Sequence, residues 1–176
     1  MKVALIIGHK LTSGGAVSPN GVDEFDYNEE LAGMIACNLS DEPGIEVLIF
    51  HRKKYLELPG EINAKNPDIV ISLHANAYNT KAYGSEVLYY YKSVKGKVLA
   101  QKMLDAIKQA LNIKARGIKG KSTEDRGGVI LRYTDAPCVL LEPFFIDNPL
   151  DWNSGREKKY ELALALSDAI VEYANG

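Results

Sequence analysis

The feature that most constrains this chain is a repeated alternation: short apolar runs rich in β-branched and aromatic residues are separated by stretches with helical spacing. Five runs stand out, Val3 to Ile7, Ile45 to Phe50, Ile69 to Leu73, Glu86 to Tyr91 and Cys138 to Leu141, and Val129 to Arg132 reads as an extra edge strand. Their apolarity is mostly continuous, as strands covered on both faces require. Between them, Asp26 to Ser40 places Tyr27, Leu31, Met34, Ile35 and Leu39 on one helical stripe, with Asp26 and Glu29 as a candidate capping box. Ser93 is placed to cap a second helix on Leu99, Met103, Ile107 and Leu111, and a third runs to the C-terminus on Leu162, Leu166, Ile170 and Tyr173. A short helix is expected between Pro59 and Lys65. Strands alternating with helices imply crossover connections, hence a three-layer α/β domain with a mostly parallel sheet of about six strands and helices on both faces. The Gly- and Lys-rich stretch from Lys114 to Gly128 reads as a mobile loop or hairpin.

Length and charge narrow the class. At 176 residues the chain is expected to form one domain, 1–176, since a domain of roughly 150 residues buries about two thirds of the surface its unfolded chain exposes. Lys+Arg 21 against Asp+Glu 23 gives a net charge of −2, without the basic footprint that draws a protein to nucleic acid or anionic membranes. Cys37 and Cys138 sit far apart among apolar neighbours and read as buried free thiols rather than a disulfide or a C-x-x-C site. No segment approaches the roughly 20 apolar residues of a membrane span, and Met1 to Ile7 is too short for a signal-peptide core. The expectation is a monomer that is cytoplasmic as synthesised.

All three histidines directly follow apolar runs: His9 after ALIIG, His51 after EVLIF and His74 after DIVISL. In a parallel sheet these positions share one edge, where α/β proteins gather function. A catalytic zinc site takes about three protein ligands and keeps an open position. Arg52, Lys53 and Lys54 place positive charge beside His51, whereas His74 leads into small neutral residues, so His9 and His74 are the favoured pair. Glu24 ends the loop that starts at His9 and is the candidate carboxylate, with Asp23 and Asp26 as alternatives; a solvated helix start accounts for all three equally simply. Glu142, set in VLLEPFF, is the second anomaly, because a carboxylate among apolar neighbours needs a partner or a task. Pro143 biases it toward extended geometry at the end of the last strand. It reads either as a general base or as half of a buried salt bridge with Arg132 or Arg116.

The strings LIIGHK, GVDEFDYN, ISLHANA, GSEVLYYY, RGIKGK, GVILR and VLLEPFFIDN, in this order, resemble the zinc-dependent N-acetylmuramoyl-L-alanine amidases, especially catalytic domains of phage endolysins and bacterial autolysins. The resemblance covers essentially the whole chain. It implies a mixed, mostly parallel sheet, Zn2+ held by His9, Glu24 and His74, Glu142 as the catalytic glutamate, and peptidoglycan as substrate. It leaves His51 as a non-ligand and places Arg52 where the family often has an arginine. Lys10 stands where a second glycine is common after GH, and Pro143 where the family usually has a small residue. The resemblance further implies an open site without an inhibitory helix or a wall-binding module, in an enzyme that reaches the cell wall after release. Tyr78, Tyr83, Tyr89, Tyr90, Tyr91 and the lysines from Lys114 to Lys121 are candidates for lining its groove.

Overall fold

A computed structural model describes residues 1–52 and 54–176; Lys53, one of the cations noted beside His51, lies outside the described residues. Six strands form one sheet: β1 (Lys2–Ile7), β2 (Glu46–His51), β3 (Ile69–Leu73), β4 (Ser85–Tyr90), β5 (Ala115–Lys121) and β6 (Cys138–Glu142), in the order β2-β1-β3-β6-β4-β5. Neighbours pair parallel except β4 with β6, so β4 and β5 run against the other four strands. The expected mixed, mostly parallel α/β sheet is therefore present. Register aligns Ile7 with Leu73 and Leu73 with Leu141, which brings the chain after β1, β3 and β6 to one edge.

Side-chain alternation splits the buried residues into two cores. On one face Leu5, Ile7, Ile71, Leu73, Val139 and Leu141 pack against α1 (Glu24–Asn38), α3 (Val94–Leu111) and α6 (Lys159–Ala174). On the other, among the described residues, Ala4, Ile6, Val70, Leu88 and Leu140 meet two short helices, α2 (Leu58–Asn63) and α4 (Gly128–Tyr133). The second face is thinly covered, and a crevice opens there.

Four local expectations are corrected. Val129 to Arg132 is not an edge strand but lies in α4, because a short apolar run has no period of its own that separates strand from buried helix. Gly127, at φ +80°, turns the chain into that helix. The edge strand next to β4 is instead β5, inside the stretch read as a loop; its Lys and Gly residues suit an edge that needs no second apolar face and discourages pairing with other chains. Helix α1 begins two residues earlier than expected, with Asp23 as its N-cap accepting from Asp26 N at 2.9 Å, in place of an Asp26–Glu29 box. Cys37, read as a buried thiol, is instead exposed on α1, off the face that packs on the sheet, whereas Cys138 is buried as expected.

The segment after β6 was not anticipated. It folds into α5 (Pro149–Glu157), capped by Asn148, which accepts from Leu150 N and Asp151 N. Buried Asp151 accepts from Gly84 N at 2.7 Å and Phe145 N at 3.0 Å, which fixes the chain leaving Glu142 to the chain entering β4. Asp151→Ala strands both buried donors and is expected to cost at least about 2 kcal/mol. A urea denaturation midpoint checks this, with an unchanged slope expected.

Candidate metal centre

The site forms where three chain segments leave the sheet edge. Gly8 donates to Leu73 O at 2.9 Å, and a Cβ on Gly8 would lie 2.6 Å from the His74 ring, so only glycine lets that imidazole lie against the end of β1. His9 then turns back with φ +64°, a left-handed conformation uncommon for a non-glycine residue and characteristic of functional sites. The loop from Lys10 to Asp23 passes over it. Gly15, at φ +89°, approaches both His9 and Glu24 so closely that a Cβ would fall within 2.7 Å of each side chain.

Glu24, in the first turn of α1, is fully buried and shared by all these segments. Its Oε1 accepts from His74 Nδ1 at 2.9 Å and Ala75 N at 3.1 Å, and its Oε2 accepts from Ala16 N at 3.3 Å. His9 Nε2 lies 3.0 Å from the same Oε2. Burial alone would raise the Glu24 pKa, but the hydrogen bond from His74 and the close approach of the His74 and His9 rings outweigh it and hold the carboxyl well below its usual range. His74 is pushed the other way: burial, opposed by Glu24, leaves its pKa lowered, so the ring is a neutral imidazole near neutral pH. The His9 and His74 rings sit 5.4 Å apart at 72°, and candidate ligand atoms of His9, Glu24 and His74 all lie within 4.8 Å of one another. Although close to the carboxylate, buried His9 Nε2 makes no hydrogen bond. An orphaned imidazole nitrogen facing a carboxylate and a second neutral imidazole is the donor arrangement a divalent metal ion takes up.

The alternatives from sequence lie elsewhere. Asp23 is used as the α1 cap, Asp26 is exposed, and His51 pairs with Glu29 at 3.0 Å on the surface.

Glu142 ends β6, only 4% exposed, with Oε2 buried and unpartnered. Burial pushes its pKa well above the ordinary carboxylate value, the charges of Glu24 and Glu86 add to the rise, and Arg126 opposes it. The salt-bridge reading fails among the described residues: Arg116 Nε donates to Glu86 Oε2 at 2.9 Å, and Arg132 stacks on Tyr90 at 5.2 Å. Glu86 stands directly opposite Glu142 in the antiparallel register, so the Arg116 pair offsets a like charge that would otherwise face Glu142.

Glu142, His9 and His74 line a cavity of about 410 Å³ over the thinly covered face, together with Arg52 and the 123–127 loop. None of the candidate tyrosines, nor any lysine from Lys114 to Lys121, lines it; Tyr78 is 80% exposed, and Lys114 stacks on Tyr83. Arg126 was missed, because only the helical turn at Gly127 and Gly128 brings its loop over the crevice.

The raised Glu142 pKa has a measurable consequence. A carboxyl that holds its proton more tightly folded than unfolded makes the folded state lose stability as pH rises from the ordinary carboxylate range toward the raised value. In chelator-treated protein, Glu142→Gln is therefore expected to melt higher than wild type near pH 8, by at least about 2 °C. Calorimetry should show the gap closing toward about pH 4.5.

Comparison with known proteins bears on the family and the fold. The sequence pattern of the N-acetylmuramoyl-L-alanine amidase family matches residues 3–172. N-acetylmuramoyl-L-alanine amidase LytC of Bacillus subtilis is 26% identical over 174 residues, 94% of this chain but 34% of LytC, so the chain spans about a third of that relative. An N-acetylmuramoyl-L-alanine amidase from Clostridium difficile 630 shares the fold with a TM-score of 0.88 at 24% identity, covering 99% of this chain and 97% of that one. The catalytic domain of the CD27L endolysin targeting Clostridia Difficile superposes with a TM-score of 0.81 at 28% identity, over 98% and 97% of the two chains. With the match running nearly end to end, this chain belongs to the N-acetylmuramoyl-L-alanine amidase family.

Proposed function

We propose that the protein hydrolyses the amide joining the lactyl group of N-acetylmuramic acid to the L-alanine of the peptidoglycan stem peptide, with zinc held by His9, Glu24 and His74. The reading rests above all on one observation: an unpartnered, buried carboxyl lines the same crevice as a compact His-Glu-His cluster. Two imidazoles and one carboxylate are a donor set that catalytic zinc accepts, and the orphaned His9 Nε2 fits that use. In such a site zinc supplies Lewis acidity toward a water and the scissile carbonyl.

The chain's own groups do the rest. Glu142 Oε2, free of other partners, takes the proton of the attacking water. Its raised pKa suits it to keep that proton until the tetrahedral centre collapses, and then to deliver it to the departing alanine nitrogen. Ala75 N and Ala16 N hold the Glu24 carboxylate in place, and Gly8 leaves room for His74. A closed structural metal site would have no use for Glu142, which favours a hydrolase over a module that merely binds cell wall.

Mass spectrometry of digested sacculi tests the reading. The zinc-loaded protein is expected to release stem peptides with a new N-terminal alanine, and Glu142→Gln to do so at least about 100-fold more slowly. Peptides trimmed only at their C-termini would indicate a carboxypeptidase instead.

A further inference from the structure

The crevice contains more than the reaction centre. From Glu142 it extends across the thinly covered face, with Ile6, Leu88, Ile130 and Leu140 among its apolar lining. Two guanidinium groups also line it, from Arg52 after β2 and from Arg126 in the loop before α4. Arginine ion pairs among the described residues belong to Arg116 and Arg156, and Arg132 stacks on Tyr90 and Tyr133. Arg52 stacks on Tyr55 at 5.6 Å, yet its buried Nε has no hydrogen-bond partner. A buried guanidinium N–H left unused is costly, so its placement beside a cavity points to a ligand acceptor. Arg126 lines the same crevice as Glu142 and His74, which brings its charge beside the reaction centre. Besides Glu142, two carboxylates share the lining without pairing to either arginine: Asp125 accepts from Ser122 N at 2.7 Å and Ser122 Oγ at 3.0 Å, and Glu124 is exposed.

The chemistry of the substrate decides which part belongs here, and this step rests on the amidase reading. The lactyl carboxyl is consumed in the scissile amide, so the saccharide side next to that bond is neutral. Beyond alanine, the peptide carries free carboxylates. We propose that Arg52 and Arg126 form a carboxylate subsite for the stem peptide, with the alanine methyl on the apolar lining and the carboxylate of the following residue on the guanidinium groups. Guanidinium binds carboxylate through paired, charge-assisted hydrogen bonds that an amide cannot reproduce. The subsite therefore distinguishes a free carboxylate from its amide.

Titration calorimetry on zinc-loaded Glu142→Gln protein, which retains substrate, tests this with N-acetylmuramoyl-L-alanyl-D-glutamate and its α-amide. The acid is expected to bind at least about tenfold more tightly than the amide. That preference should fall to near unity when Arg52→Gln or Arg126→Gln is added, and Arg52→Lys should recover part of it. If Arg52→Gln loses the fold by circular dichroism, Arg126→Gln at its exposed position decides alone. Equal affinities, binding of neither ligand, or a preference that survives the arginine changes would overturn the subsite. Each of those results leaves the amidase reading standing if sacculi still yield alanine-terminated peptides. Failure to release such peptides removes the amidase reading, while calorimetry still reports the carboxylate preference.

Discussion

The arrangement depends on the buried carboxylate of Glu24. Taking a charged group out of water costs several kcal/mol unless it is paired and hydrogen-bonded. Here the pairing comes from three places: His9 after β1, His74 and Ala75 after β3, and Ala16 in the loop over the site. One side chain at the start of α1 therefore ties two strand ends and a long loop into a fixed geometry. The glycines beside it follow from the same crowding, since a Cβ at Gly8 or Gly15 would collide with the residues that Glu24 gathers.

Glu142 has the opposite environment on the same sheet edge. It is as deeply buried as Glu24 is meant to be, but nothing satisfies its Oε2, and neighbouring carboxylates push its pKa up where histidines pull that of Glu24 down. Two glutamates of equal intrinsic acidity thus separate into a permanent anion suited to a cation and a carboxyl suited to passing a proton. The topology makes this possible. Antiparallel β4 sets Glu86 opposite Glu142, and β5 supplies Arg116 to offset it, so the reversal of two strands serves the electrostatics of the site as well as the sheet.

Much of this was legible in the sequence, for physical reasons. Five of the six strands carry apolar runs dense enough to read as strands, and in a parallel sheet residues just after such runs share one edge, which is why His9, His74 and Glu142 stood out. Choosing Glu24 over Asp23 or Asp26 needed the family resemblance, because cap chemistry and ligand chemistry use the same side chains; the structure puts Asp23 on the cap and Glu24 in the cluster. Where the core imposes no pattern, the sequence misled. Strand β5 has Lys or Gly at four of its seven positions, helix α4 is too short to express a period, and Arg126 gains its position only through that helix. Tyr89, Tyr90 and Tyr91 drew attention by type, but β4 runs antiparallel to β6 and carries them toward the sheet edge opposite Glu142.

The central claim is that His9, Glu24 and His74 form one metal-binding unit. Its most direct test is a crystal of the zinc-loaded protein measured at the zinc absorption edge. A single anomalous peak is expected about 2.0–2.2 Å from one nitrogen of each histidine and a carboxylate oxygen of Glu24, with Glu142 outside the ligand set. A stoichiometric zinc ion found elsewhere, or bound through Glu142 in place of Glu24, would contradict the account.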